Sequence, residues 1–248
     1  MLGIDAAWTE THLSGVAAVV EEDGRWRLKR AAESYEEFCK SREPADLLQA
    51  AKEACKADIC VVAVDMPLSR LPIEGRRASD IGVSKEYGSK WAATHSPSKA
   101  RPGKVSDELR AGFEANGFPL RTEDFEGRGL IEVYPHPALI EFMRAEKRLP
   151  YKEGKRASYW KNQSRDERRE KLLGVWRTIV NALEREITGV QEAMQLPPPG
   201  LKAFEDKLDA IICAAVGVAV LEGRARTIGD EDSAIWIPTS SSTRRQAE

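Results

Sequence analysis

Apolar and polar positions follow patterns that predict a sheet from the first residues onward. Leu2 to Ala6 is a short apolar run that predicts a strand ending near its aspartate. Leu13 to Val20 and Arg25 to Ala32 predict two further strands, joined by the turn Glu21-Glu22-Asp23-Gly24 as a hairpin. The continuous apolar run from Ile59 to Val64 is typical of a strand buried on both faces, in the middle of a sheet.

The order of these patterns indicates an α/β architecture. A helix from Pro44 to about Lys56 precedes the fourth strand, and Gly129 to Tyr134 predicts a fifth. Three strands, a helix and a strand predict a mixed sheet with a helical crossover, in which the first and fourth strands are central. Ser233 to Pro238 is a candidate for one more short strand. Further helices are predicted at Ser106 to Asn116, Pro137 to Ala145, Arg165 to Ile187 and Leu201 to Glu222.

Two stretches interrupt this regular pattern. The segment from Pro67 to Pro102 is rich in Pro, Gly, Ser, Arg and Lys, which favours a long functional loop or a partly helical insertion. Residues 147–164 are polar and basic. We therefore expect a single domain over residues 1–238, with insertions at 67–128 and 147–164 and a disordered tail at 239–248.

Composition narrows the class of protein. The chain has 248 residues, enough for one large domain, and its formal net charge of -2 excludes a generally basic nucleic-acid-coating protein. Any nucleic-acid contact must therefore come from a local basic patch. The four cysteines form no CxxC pair, which favours reduced thiols in a cytoplasmic protein. The longest apolar stretch, Leu208 to Leu221, contains Asp209 and is too short to span a bilayer.

Four acidic residues stand where packing alone would not select them. Asp5 ends the first strand, Asp65 ends the fourth, Glu132 lies inside the fifth, and Asp209 interrupts an apolar helix. Burying a carboxylate is costly, and a cluster of them becomes tolerable when a divalent cation lies between them. Ligands of open α/β sheets bind at the carboxyl ends of the strands. The set therefore predicts a site for Mg²⁺ or Mn²⁺, which are hard ions that take oxygen ligands.

The last predicted helix adds a spacing argument. Asp206 and Asp209 are three residues apart and Glu205 and Asp209 four apart, so all three share one face. Asp209 also shares its stripe with apolar side chains, so it should point towards the sheet.

Structural explanations are open for each acid taken singly. Asp5 could cap a helix or form a turn, and Asp65 could fix the turn before Met-Pro. Glu132 could pair with an arginine from the basic loops. Glu205 and Asp206 could be favourable charges near a helix N-terminus. The metal-site hypothesis depends on the set rather than on one member.

Four segments in order resemble a bacterial and archaeal family, domain-of-unknown-function family 429. They are Gly3-Ile4-Asp5, Val64-Asp65-Met66-Pro67-Leu68, Glu132-Val133-Tyr134-Pro135 and Leu208-Asp209-Ala210. The resemblance runs from residue 2 to about Pro238, and Val-Asp-Met-Pro-Leu is its most specific part. Where the family commonly has a cysteine in its Arg-rich segment, this chain has Ser79.

The resemblance implies an RNase H-like fold, here a five-stranded mixed sheet flanked by helices, and a predicted nuclease activity. It implies metal ligation by Asp5, Asp65 and Asp209, with Asp206 matching the second aspartate on the last helix of Holliday-junction resolvases. Glu132 belongs to the smaller family's own motif and completes the predicted catalytic set of Asp5, Asp65, Glu132 and Asp209.

The leading hypothesis is a metal-dependent phosphodiesterase acting on nucleic acid. In it, Asp5 bridges two Mg²⁺ or Mn²⁺ ions, Asp65 and Asp209 each hold one side, and Asp206 or Glu132 completes a ligand shell or orients water. The basic loops would bind phosphates, and a solvated charged face is the alternative for them. The predicted phosphate ligands are Arg76, Arg77, Lys85, Lys155 and Arg156.

Two other functions are compatible with the same sheet. A phosphotransferase or NTP-binding protein of the actin and sugar-kinase type also begins with an aspartate strand. It needs a glycine-rich phosphate loop, however, and Gly15 is the only glycine between Asp5 and Val20. A non-catalytic interaction module of the same fold would bind no metal.

Overall fold

The computed structural model describes residues 1–8 and 13–239, so most of the predicted disordered tail lies outside the described residues. In these ranges the strands are β1 (Leu2–Asp5), β2 (Gly15–Glu22), β3 (Arg25–Ala32), β4 (Val61–Val64), β5 (Gly129–Val133), β6 (Ala225–Gly229) and β7 (Ala234–Pro238). The helices are α1 (Tyr35–Cys39), α2 (Pro44–Cys55), α3 (Ala78–Tyr87), α4 (Lys104–Ala115), α5 (Pro135–Met143), α6 (Arg156–Tyr159), α7 (Arg165–Glu186), α8 (Val190–Ala193) and α9 (Leu201–Leu221).

The strands form one mixed sheet in the order β3-β2-β1-β4-β5-β7-β6. β1, β4, β5 and β7 are parallel to one another, whereas β2 pairs antiparallel with β1 and β6 pairs antiparallel with β7. The mixed sheet and the central position of β1 and β4 are thus confirmed. Because β1, β4 and β5 are parallel, their carboxyl ends meet at one edge of the sheet.

The prediction of five strands was wrong, since the described residues form a seven-stranded sheet. β7 is the short strand for which Ser233 to Pro238 was the candidate, and β6 was not predicted. β6 is an edge strand whose residues are all partly or fully exposed, so its sequence lacks the apolar run of a central strand. Pairing with β7 places it in the sheet, and local sequence does not encode that pairing.

Helices cover both faces of the sheet. α5, α7 and α9 pack with Ala63, Ile131 and Val133 on one face. α1, α2 and α4 pack with the alternate strand residues, such as Val62 and Val64, on the other. Among the described residues, no helix combines the length and the apolar character needed to cross a membrane.

Gly3 and Gly15 allow α9 to lie directly against the sheet. A methyl group at Gly3 would overlap the carbonyl oxygen of Ala210, and one at Gly15 would overlap that of Asp206. Both carbonyls belong to the backbone of α9 and cannot rotate away. The two glycines therefore set the helix at the distance that carries Asp206 and Asp209 to the end of β1.

Replacing Gly3 by Ala should lower the free energy of unfolding by about 1–3 kcal/mol, because the added methyl group overpacks a backbone contact. The matched control is Gly174→Ala in α7, where the added methyl group meets no atom within 4 Å. That change should raise stability by about 0.5–1 kcal/mol through helix propensity. Urea unfolding of both variants checks the prediction, and equal effects would contradict the close contact at Gly3.

Candidate functional site

The parallel pairing of β1 and β4 brings Asp5 and Asp65 together. Ile4 is in register with Val64, and the backbone N–H of Asp65 donates to the carbonyl of Ile4 at 2.9 Å. Asp5 shares the strand face of Gly3, and Asp65 shares that of Ala63, so both side chains lie on the α9 side of the sheet. Within residues 1–8 and 13–239, no hydrogen bond or ion pair is formed by either carboxylate, although the charge of Lys152 acts on both.

Asp209 of α9 is fully buried and already has partners. The hydroxyl of Tyr151 donates to Asp209 Oδ1 at 2.7 Å, and Lys152 Nζ donates to Oδ2. Lys152 Nζ also lies 3.7 Å from Glu205 Oε1. The ammonium group therefore occupies the place beside Asp209 where the sequence predicts a metal ion.

A second lysine holds the adjacent acids. Lys202 Nζ donates to Asp206 Oδ1 and lies 3.2 Å from Glu205 Oε1. The backbone N–H of Glu153 also donates to Glu205. The two lysines thus pair with the helix acids and leave the two strand acids without a partner in the described residues.

Burial and neighbouring charges raise the pKa values of Asp5 and Asp65, the acids at the ends of β1 and β4. Burial raises the pKa of Asp65 to about 7, with the positive charge of Lys152 opposing and the negative charge of Asp209 adding to the shift. Burial, and next the charge of Asp209, raise the pKa of Asp5 well above its ordinary value. Asp5, Asp65 and Asp209 therefore act on one another as a single electrostatic cluster.

Glu132 lies on the other face of the sheet from this cluster, although its negative charge also raises the pKa of Asp65. It shares the strand face of Leu130, which packs on the opposite side of the sheet from Ile131. Its carboxylate forms a bidentate pair with Arg77, at 2.5 and 2.7 Å, and accepts the N–H of Leu68 at 2.7 Å.

The guanidinium of Arg77 is fully engaged by buried groups. It also donates to both oxygens of Asp80, each at 2.9 Å, and to the carbonyl of Leu68 at 2.7 Å. Glu132 and Arg77 therefore fasten the segment after β4 to β5. The sequence alternative in which Glu132 pairs with a loop arginine matches this geometry.

A cleft opens on Asp65 at the carboxyl end of the sheet. One part, of about 650 Å³, is lined by Asp5, Asp65, Asp206 and Lys202. A second part, of about 160 Å³, is lined by Asp65, Lys152, His136 and Tyr134 among others. Trp8, Asp65 and His95 border both parts, which makes Asp65 the link between them.

Several cations lie at or near this cleft: Arg101 and Lys202 line its larger part, and Lys152 lines the smaller one. The pKa of His95 is lowered by burial and by the positive charges of Arg148, Lys155, Arg101 and Lys152. No carboxylate in the described part of the chain pairs with Arg148, and its buried Nε has no hydrogen-bond partner there. Within the described residues, the positive charge of Arg148 is therefore not neutralised by an ion pair.

The predicted phosphate ligands occupy different places. Arg76 donates to the carbonyl of Asp80 at 2.8 Å and to Ser84 Oγ at 2.6 Å, and Arg156 pairs with Glu153. Lys85 is exposed on α3, while the charge of Lys155 reaches His95 at the cleft. Their binding of phosphate stays a prediction, and Lys155 has the position that fits it best.

Sequence reasoning missed several groups of the site. It placed Lys152 among the basic loop residues that would bind phosphate and did not single out Tyr151, Arg148 or Trp8. The signal available was the basic character of residues 147–164, which identifies a surface but not the side chain that turns inward. Lys152 and Asp209 are 57 positions apart in the sequence, so no local sequence pattern predicts their contact.

The residues fit one divalent ion better than two. Within the described residues, no three side chains of His, Cys, Asp or Glu form a ready-made metal cage. Mg²⁺, however, is commonly held by one or two carboxylates plus substrate phosphate and water. Asp5 and Asp65 suit that role, whereas Asp206 and Asp209 are taken by lysines. Metal binding itself stays a prediction.

Comparison with known proteins assigns the family. A search of curated proteins and a search of solved structures each found no match. A family model described as "Protein of unknown function (DUF429)" matches residues 3–234 and so includes β1, β4, β5 and α9. The chain therefore belongs to the DUF429 family.

Proposed function

We propose that this protein is a divalent-cation-dependent phosphodiesterase that cleaves nucleic acid in the cleft beside Asp5 and Asp65. One observation carries the proposal: two carboxylates without a hydrogen bond or ion pair in the described residues end adjacent parallel strands and face a cleft that Arg101, Lys152 and Lys202 help to line. The carboxylates suit a hard divalent ion, and the rim suits phosphate.

The charge of the cluster supports a requirement for a cation. Five carboxyl groups, those of Asp5, Asp65, Glu205, Asp206 and Asp209, meet only two ammonium groups. Burial and the neighbouring acids raise the pKa values of Asp5 and Asp65, so ionising both acids requires a further positive charge. A phosphodiester adds another negative charge and would be repelled. A divalent ion held by Asp5 and Asp65 would remove this repulsion, polarise the phosphoryl oxygen and lower the pKa of a bound water.

The chain's own residues supply the remaining roles. Lys152 provides a fixed positive charge beside Asp209, so that one divalent ion suffices where the sequence hypothesis placed two. Asp209 and Tyr151 position Lys152 rather than touch the substrate. Arg148 and Lys155 bind the flanking phosphates of the nucleic acid. Glu132 and Arg77 keep the loop after β4 in place.

Cleavage of labelled single-stranded RNA, single-stranded DNA, duplex DNA and a four-way junction tests the proposal. With Mg²⁺ or Mn²⁺, the wild type should cleave at least one substrate, and EDTA should abolish the activity. Asp5→Asn should lower the rate by about 100-fold or more, because it removes an ion ligand.

The matched control is Asp58→Asn, which changes an aspartate that is 59% exposed and paired with Lys52 outside the cleft. It should cleave at the wild-type rate. Equal rates for the wild type and Asp5→Asn on every substrate would contradict the proposal.

A further inference from the structure

The smaller part of the cleft has the properties of a pocket for a single ring system. Its volume of about 160 Å³ is below the roughly 300–1,000 Å³ of pockets for drug-sized ligands. Its walls include Trp8, Pro67, Tyr134 and Pro135, which are flat and largely apolar. It adjoins Asp65, so an occupant would lie next to the proposed site of cleavage.

His136 is a buried polar group of this pocket that lacks a hydrogen-bond partner in the described residues. It is only 4% exposed, no hydrogen bond to it occurs in the described residues, and its Nδ1 is buried without a partner. An unsatisfied buried nitrogen is costly unless a ligand or water completes it. His136 therefore has unused hydrogen-bonding capacity in a pocket whose walls combine flat rings with charged side chains.

The neighbouring rings hold His136 in place and have their own polar groups satisfied. Its ring meets those of Tyr134 and Tyr151 edge-on, each with centroids 5.3 Å apart. The Tyr134 hydroxyl donates to the carbonyl of Ala93 at 3.1 Å, and the Tyr151 hydroxyl donates to Asp209. None of these neighbours in the described residues uses the hydrogen-bonding capacity of the His136 imidazole.

Burial and nearby positive charges favour the neutral imidazole of His136. Burial, and next the charges of Lys152, Arg148 and His95, lower the pKa of His136 well below its ordinary value. The neutral imidazole has one donor and one acceptor nitrogen. The guanidinium of Arg77, at another wall, is neutralised by Glu132 and Asp80.

We propose that this pocket receives one unstacked nucleobase of a single-stranded nucleic acid, whose edge hydrogen-bonds to His136 while the adjoining phosphate lies beside Asp65. The inference rests on the proposed function and deepens it by naming the substrate class. A base inside a duplex cannot enter such a pocket without leaving the stack.

Fluorescence anisotropy with labelled five-nucleotide DNA and RNA strands, in Ca²⁺, tests the inference. Each strand is compared with versions that carry an abasic site at one position. Loss of the base at one position should weaken binding about tenfold, the scale of a stacked base, and loss at the others should have smaller effects. Comparison of the affinities for the DNA and RNA strands shows whether the site prefers deoxyribose or ribose.

His136→Phe separates recognition from a structural role, since it keeps an aromatic ring between Tyr134 and Tyr151 and removes both nitrogens. It should weaken binding of the intact strand and leave binding of the abasic strand unchanged. Equal weakening of both, or no position sensitive to base loss, would overturn the inference. Base-dependent binding without cleavage in Mg²⁺ would refute the proposed function alone, and cleavage without base dependence would refute the pocket alone.

Discussion

Lys152→Met should lower the free energy of unfolding by about 3–5 kcal/mol in EDTA, the cost of leaving a buried charge without its partner. Asp209 is fully buried and Glu205 nearly so, and both lose the Lys152 ammonium group in this variant. For a chain of this length, such a loss corresponds to a fall in Tm of about 10 °C or more.

A divalent ion should restore much of the stability of Lys152→Met, because it can take the place of the ammonium beside Asp209. Saturating Mn²⁺ at about 100 times its Kd would contribute about 2.7 kcal/mol. Thermal unfolding with EDTA and with Mn²⁺ measures the effect, and Mn²⁺ titration by electron paramagnetic resonance counts the ions. The wild type should bind one ion and the variant two.

The matched control for this change is Lys52→Met, which removes the same charge from a lysine that is 57% exposed. It should unfold within about 0.5 kcal/mol of the wild type. Two ions bound by the wild type would refute the role given to Lys152 and leave the proposed activity intact. No effect of Lys152→Met on unfolding in EDTA would refute the buried pairing.

Arg77→Met should also lower the free energy of unfolding by about 3–5 kcal/mol, since it leaves the buried carboxylates of Glu132 and Asp80 without their charged partner. Arg77→Lys should recover only part of this loss, because a lysine cannot form the forked contacts with both acids. Urea unfolding with Arg27→Met as the surface control checks the effect, since Arg27 is 53% exposed in its ion pair.

The same variant distinguishes the two roles considered for Arg77. If Arg77 bound phosphate at the surface, its substitution would lower the affinity for nucleic acid and leave the free energy of unfolding unchanged. If Arg77 holds the loop after β4 against β5, its substitution would mainly lower the free energy of unfolding. A loss of less than about 1 kcal/mol for Arg77→Met would therefore favour the phosphate role.

The sequence predicted the central elements well because their signals are local. The apolar run before Asp65 identified a buried strand, and the 22 residues of α7 follow a helical period whose limits agree within one residue. The helix after β5 begins two residues earlier than predicted, at Pro135, because the fixed φ of proline suits the first helical turn. The segment from Pro67 to Pro102 contains α3, as its partly helical interpretation allowed.

The sequence by itself determined the family, the mixed α/β class and the convergence of acids on the carboxyl ends of β1 and β4. Parallel strands and a two-residue side-chain period suffice for that. Only the tertiary structure decided which partner each acid pairs with. It turned Glu132 to the opposite face and joined it to Arg77, and it placed Lys152 beside Asp209 where a second metal ion was expected. Charge pairing across 55 or 57 positions depends on how loops fold over the sheet, and no local pattern of residues encodes it.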